Sequence, residues 1–316
     1  MVVKVVAEVG LCANSIDWAH RAVDAAADAG CWGYKIQLLN ADRLAARGAP
    51  RYDRLPGAAN QHAAFTGALP AAAFVDVFAH ARDRGLVPFA SCWDEQSLTE
   101  CEDYLDPEWY KIGSADITHL DLLSETAALG KGVMLSTGAA TAAEIVRAAG
   151  IGWVGEVVGM ACTLSYPAEQ PRLSRIRWLD RLEVFTWVGY SDHTVSAATG
   201  FEAVLAGAEY LEKHFTVTPG VGGDHDFALT STGMAAYVDG ARAAESWLGD
   251  PGLLDEEAVA RDLARRSLHT TQPVKKGELL VPGINSAWLR PALNGIPADA
   301  TGPWHAERDY QAGEQV

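Results

Sequence analysis

The run Gly189–Thr194, GYSDHT, closes an apolar stretch, EVFTWVGY, on Ser191, Asp192, His193 and Thr194. A little further on, EKHFT closes a second apolar stretch with Glu212 and His214. Serine, aspartate and threonine are ordinary helix caps, and two histidines twenty-one positions apart match no familiar ligand spacing. Their chemistry becomes specific only if they converge. Two imidazoles from neighbouring strand ends can share one divalent cation, and a carboxylate beside that cation can move protons. Two lysines set in apolar runs, Lys35 in GYKIQLL and Lys111 in WYKIGS, are the cations that a phosphate needs in an acidic protein. For Lys35 alone the plainer reading is a buried carboxylate partner.

Convergence requires a scaffold, and the hydrophobic pattern supplies one. Apolar runs that read as buried strands lie near 2–9, 31–37, 86–92, 108–113, 132–136, 156–163, 183–190 and 208–215. Ala-rich amphipathic stretches separate them, several ending in the glycine that commonly stops a helix. Eight such units fit a (β/α)₈ barrel better than an open doubly wound sheet, and no GxGxxG follows the first strand. Barrel chemistry is built at the carboxyl ends of strands. In order, those ends carry Glu8; Lys35 and Gln37; Ser91; Lys111 and Ser114; Ser136 and Thr137; Thr163 and Tyr166; Ser191, Asp192 and His193; and Glu212 and His214. Strand alternation places Glu212 and His214 on one side and Lys213 on the other. Two long insertions, 40–70 and 216–230, follow the second and eighth strands and would line the same face.

The composition bounds the rest. The chain has 316 residues, 49% of them hydrophobic, and a formal charge of −16, which argues against nucleic acid or an anionic membrane as partner. No apolar run is long enough to span a bilayer. Five scattered cysteines without a CxxC pair point to a reducing cytoplasm and against a cysteine zinc site. Residues 1–250 read as the barrel, 251–266 as a linker and 267–316 as a small β module holding a faint internal echo, PVKKGELLV against RDYQAGEQV.

AEVG, DAAADAGCWGYKIQ, WYKIGSADITHLDLL, VMLSTGAATAAEI, CTLSYPAE, GYSDHT, EKHFT and GGDHDFAL occur in an order that resembles the sialic acid synthase family. The tail, ARRSLHTTQPVKKGELL…LRPALNGI, resembles that family's antifreeze-like (SAF) module. The resemblance implies condensation of phosphoenolpyruvate with an aldose or an N-acetylated amino sugar such as N-acetylmannosamine. It implies that Lys35, Lys111, Ser114, Ser136 and Ser191 hold phosphoenolpyruvate. His193 and His214 would bind a divalent metal, manganese first, with magnesium or cobalt as alternatives. Glu8 would stand near the reacting carbons. Asp116, Tyr166, Glu212 and Asp224 would fall on the sugar side. Arg290 of the SAF module would reach the barrel of a partner subunit in a homodimer.

The chain also departs from the family pattern. Ala13 replaces a histidine, Cys92 a threonine and Asp116 a glutamate; Ala161 and Leu164 replace polar neighbours, and the SAF loop reads RPALNGIP. The changes at Cys92 and Leu164 predict lost hydroxyl donation and altered substrate fit. An atypical acceptor sugar is the expectation. Two other readings of the same residues are a Schiff-base aldolase using Lys111 or Lys35 and a non-catalytic sugar-binding relative.

Overall fold

The protein is described from a computed structural model, over residues 2–10, 15–50, 60–221, 223–249 and 252–316. The chain separates into two compact units, Met1–Gly249 and Asp250–Val316. In the first, eight parallel strands form a closed barrel. They are β1 (Lys4–Glu8), β2 (Gly33–Leu38), β3 (Val87–Cys92), β4 (Trp109–Ile112), β5 (Gly132–Ser136), β6 (Val157–Cys162), β7 (Trp187–Asp192) and β8 (Tyr210–His214). β8 pairs back onto β1, with Glu8 opposite His214. The helices between them start where the local chemistry dictates. Ser15 and Asp94 accept backbone N–H groups at two helix starts, and Thr141 with Glu144 makes a capping box at a third.

Alternation along each strand divides the barrel into two apolar layers. Outward residues such as Tyr34, Ile36, Ala90, Ile112, Leu135 and Leu211 join the core beneath the helices. Inward residues Val6, Phe89, Trp109, Met134, Val158, Met160 and Tyr210 form a separate plug inside the barrel. At the amino-terminal end of this plug Lys4 donates to the Tyr210 hydroxyl at 2.8 Å. Its ammonium also faces the Trp32, Trp109 and Tyr210 rings, 4.7–5.6 Å from their centroids.

The seventh strand begins later than its apolar pattern suggests and runs through Asp192. Ser191 and Asp192 are thus ladder residues, not caps placed after a strand. The insertion after β2 contributes the short helices Ala41–Leu44 and Gln61–Phe65.

In the second unit, the segment expected to be a bare linker contains a helix, Asp255–Ala264. Strands β9 (Ser267–Thr270) and β11 (Ser286–Leu289) pair antiparallel, as do β10 (Leu279–Leu280) and β12 (Trp304–His305). The two halves of the internal echo meet across this small core, with Val274 and Tyr310 exchanging both backbone hydrogen bonds. Leu268, Leu280 and Ala306 pack with them. Among the described residues no helix is long and apolar enough to cross a membrane.

Gly189 shows how closely the inner layer is packed. A Cβ there would lie 2.5 Å from the Met160 sulfur and 2.6 Å from the Tyr210 carbonyl oxygen. Gly189→Ala is therefore expected to destabilise the protein by about 1–3 kcal/mol, the usual cost of an overpacked methyl group, measured by urea denaturation.

Candidate active site

Directly above the apolar plug the inward positions become charged. Glu8 on β1, Lys35 on β2, Lys111 on β4 and Glu212 on β8 are all buried. Lys35 pairs with Glu8 and lies 3.1 Å from Glu212, whose other oxygen is 3.1 Å from Lys111. Lys35 also donates to Ser91 at 2.9 Å, and Gln37 donates to Glu8 at 3.0 Å. Burial opposes the charge on Lys35, but the Glu8 and Glu212 carboxylates more than offset it, so the ammonium is held more firmly protonated than usual. Burial likewise raises the Glu8 carboxyl above its ordinary value, against the pull of Lys35. At Glu212 burial is outweighed by Lys111 and Lys35, with a Ser191 hydrogen bond in support, and the carboxyl stays ionised.

Hydroxyls flank this layer. The backbone N–H of Gly138 donates to Ser114 Oγ at 2.9 Å, and Ser114 Oγ lies 3.4 Å from the Cys162 thiol. A side chain at position 138 would meet both groups at 2.8 Å, so glycine is what lets the loop after β5 approach β4 and β6. Ser136 Oγ is fully buried and has no hydrogen-bond partner. A buried hydroxyl in that condition costs free energy unless something else occupies it.

The two histidines stand at the rim, with ring centroids 5.6 Å apart. His193 Nδ1 lies 2.9 Å from the Thr163 carbonyl, which can only accept, so Nδ1 carries the hydrogen and Nε2 keeps its lone pair. Burial lowers His193 to about 4, and burial with the neighbouring imidazole lowers His214 as well. Both rings are neutral near pH 7. His214 Nδ1 is buried without a hydrogen bond, 3.8 Å from an Asp224 oxygen. Tyr166 lies against His193, ring centroids 4.2 Å apart, and also contacts His214 and Phe227. Gly10 is held at φ +48°, and a Cβ there would collide with the Asp224 carboxylate, so this position needs glycine.

One cavity is lined by Glu8, Lys35, Lys111, Ser114, Asp116, Ser136, Tyr166, Ser191, His193, Glu212, His214 and Asp224, together with Leu164. Of the strand-end and substrate-side residues expected from the sequence, all lie here except Thr137, Thr163 and Asp192, and Arg290, which is exposed in the second unit. Another hollow, at the opposite end of the barrel, is lined by Arg82, Asp106, Glu108, Trp109, Lys131 and Glu156. Two departures change meaning. Cys92 and Ala161 point outward into the core beneath the helices, and Ser91 supplies the inward hydroxyl of β3. The exchange at Cys92 therefore removes no donor from the cavity. Ala13 lies outside the described residues.

Sequence reasoning passed over Cys162, Gln61, Phe65, Trp93 and Phe227. Cys162 follows from alternation along β6, counted from Val158 and Met160. Phe65 and Trp93 pack with centroids 5.7 Å apart, and Arg43 of the same insertion pairs with Asp94 at 2.7 Å. Nothing in their spacing announces that meeting.

The NeuB family profile matches residues 22–252. The chain is 29% identical to the spore coat polysaccharide biosynthesis protein SpsE of Bacillus subtilis, across 96% of this chain and 92% of that protein. It is 31% identical to a pseudaminic acid synthase of Campylobacter jejuni over 64% of this chain and 61% of that enzyme. It is 28% identical to the same organism's N,N'-diacetyllegionaminic acid synthase over 93% and 92%. Among solved structures, the N-acetylneuraminic acid synthetase of Leptospira borgpetersenii superposes with TM-score 0.73 at 27% identity, covering 82% of this chain and 90% of that one.

Asp116 provides a pH test. Burial raises its carboxyl from 3.8 to about 6, against the pull of His119 and Lys111. The folded state therefore favours the protonated acid. The stability this confers is complete below about pH 4 and is lost as pH rises through about 6. Asp116→Asn should raise the melting temperature at pH 7.5, by the equivalent of about 1 kcal/mol after allowance for partial exposure, and leave it unchanged at pH 4; thermal unfolding at the two pH values measures this.

Proposed function

The chain belongs to the NeuB family and is thus a transferase of the sialic-acid-synthase type; from that premise we propose that it condenses phosphoenolpyruvate with an aldose or N-acetylated amino sugar, giving a 2-keto-3-deoxy sugar acid and phosphate. The observation that carries the reading is the pairing of two buried ammonium groups, Lys35 and Lys111, with a buried Ser136 hydroxyl that has no protein partner. A phosphate with a neighbouring carboxylate supplies the acceptor that the hydroxyl lacks and a further anion within reach of the two ammonium groups. Ser91, Ser114 and Ser191 add further donors to the same layer.

The enol carbon of phosphoenolpyruvate bonds to the aldehyde carbon, water adds to the carbon bearing the phosphate ester, and that C–O bond breaks to release phosphate. Glu8 is suited to accept the proton of that water, because burial has already raised its proton affinity. Its hydrogen bonds to Lys35 and Gln37 fix where the carboxylate points. Tyr166, Leu164, Asp224 and Phe227 form the wall at the acceptor's end.

His193 and His214 fit a divalent cation, manganese first. Both are neutral and buried, and the His193 tautomer leaves on Nε2, 3.5 Å from the Ser191 hydroxyl, a lone pair that can ligate, while Nδ1 is held by a backbone carbonyl. Among the described residues no set of three or more His, Cys, Asp or Glu side chains forms such a site, so the remaining positions would fall to substrate and water. A cation bound there would polarise the aldehyde oxygen as a Lewis acid.

Schiff-base chemistry needs a neutral amine facing the substrate. Lys35 is held protonated by two carboxylates, and Lys213, the lysine whose proton affinity burial lowers, lies on the outer face of the barrel. We further propose a cytoplasmic homodimer, in which residues 267–316 form an SAF-like module and the exposed Arg290 completes the partner's site.

Phosphate release with a panel of N-acetylated and free hexoses and pentoses tests the reaction. Release is expected with at least one aldehyde, should stop in chelator and should return with manganese; no release with any aldehyde overturns the reading. Ser136→Ala should raise KM for phosphoenolpyruvate about tenfold, the worth of one hydrogen bond to a charged group, with kcat little changed in initial-rate measurements.

A further inference from the structure

Behind the two histidines lies an ion pair that the reaction does not use. Asp192 and Lys213 are register partners on β7 and β8. Each is the outward neighbour of an inward residue, Ser191 and Glu212, and each directly precedes a histidine. Their side chains meet at 2.9 Å with 0% exposure on both sides. Lys213 also donates to the carbonyl and, at 3.1 Å, to the hydroxyl of Thr194. Asp192 in turn accepts the Thr194 N–H at 2.8 Å. The Tyr237 ring of the helix Ser231–Leu248 lies beneath, its centroid 5.5 Å from the ammonium. His193 is therefore bracketed between a residue that binds Lys213 through its carboxylate and one that binds it through its carbonyl.

Stability alone does not explain this arrangement. The same outer layer is apolar at Tyr190, Leu211 and Ile112, and a buried ion pair is on average no more stabilising than apolar side chains of similar size. What it adds is geometry. Two strand ends that would otherwise be joined only by ladder bonds are locked at the level of the imidazoles.

We propose that Asp192 and Lys213 are positioning residues, a clamp that sets the separation and orientation of His193 and His214 for a shared divalent cation. The inference rests on reading those histidines as the cation's protein ligands. The pair touches neither reactant, so its loss is felt at the cation and the aldehyde and not at the phosphoenolpyruvate end.

The test is manganese titration of the full-length protein, following free manganese by its electron paramagnetic resonance signal, alongside initial rates. In Asp192→Asn/Lys213→Met both charges leave together, so no buried charge is left unpaired and the local net charge is unchanged. Its manganese affinity is expected to fall at least about tenfold, in the range for outer partners of metal-binding histidines. kcat should fall with it, while KM for phosphoenolpyruvate stays at the parent's value. Parental manganese affinity in the folded variant overturns the clamp. If the double variant does not fold, Thr194→Val removes one hydroxyl from the clamp: affinity weakened about threefold or more supports the proposal, and parental affinity overturns it. The parent's own binding must be lost in His193→Ala. Manganese that fails to bind the parent, or survives that change, overturns the ligand reading and the clamp with it, a result distinct from failure of the clamp alone.

Discussion

Four charges sealed inside an apolar barrel are the constraint on which the site depends. Any one of Glu8, Lys35, Lys111 and Glu212, buried alone, would cost several kcal/mol or lose its charge. Together they form a chain in which Lys35 bridges two carboxylates and Glu212 bridges two lysines. The members come from β1, β2, β4 and β8, so the chain exists only because β8 closes onto β1. Closure of the fold and assembly of the site are the same event. A barrel opened between β1 and β8 would leave Lys35 without Glu212 and Glu8 without its neighbour His214.

This layer sums to zero charge, in a protein whose formal charge is −16. The phosphate of the proposed reaction therefore meets ammonium groups already engaged by carboxylates and must compete for them. Ser91, Ser114, Ser136 and Ser191 matter for that reason: they give an anion donors that need not be taken from Glu8 or Glu212. The histidines a few ångströms above are uncharged at neutral pH, because burial outweighs the nearby Glu212 carboxylate. The cavity thus has an ionic floor and an uncharged rim. Those are different solvents for the two halves of the proposed reaction, and one carboxylate of the floor, Glu8, is raised toward the protonated form without being removed from its ammonium partner.

Much of this was legible in the residues. Lysines in apolar runs, polar groups at every strand end and the repeating apolar–helical alternation lead to a barrel with one reactive rim, and strand alternation sorts Glu212 and His214 from Lys213. Resemblance to a known family assigned roles that spacing could not. Boundaries were harder. EVFTWVGY is apolar from Val184, yet the ladder starts at Trp187 because pairing with β6 and β8, not hydropathy, decides which residues join it. Cys92 was misread for the related reason that a one-residue shift in a strand exchanges inside for outside. Phe65 and Trp93 were invisible because the insertion that carries Phe65 has no period to reveal which residue turns inward; it is held by Arg43 on Asp94, a contact between segments remote in sequence.

The end of the cavity proposed for the acceptor is built on a different principle from the floor. Leu164, Phe65, Trp93, Tyr166 and Phe227 make most of its wall, and apolar contacts discriminate weakly, roughly 1–3 kcal/mol for each methylene gained or lost. Strong rejection of a wrong sugar requires buried polar groups that only the right one satisfies. Among the described residues of that wall, the Trp93 indole N–H, buried without a hydrogen bond, is a polar group of this kind. In the proposed reaction the floor accepts one small anion through fixed charges. A sugar held in the proposed way is selected at the rim by shape and by a few polar contacts, and single substitutions there, such as a leucine at position 164, change that selection without disturbing the charges below.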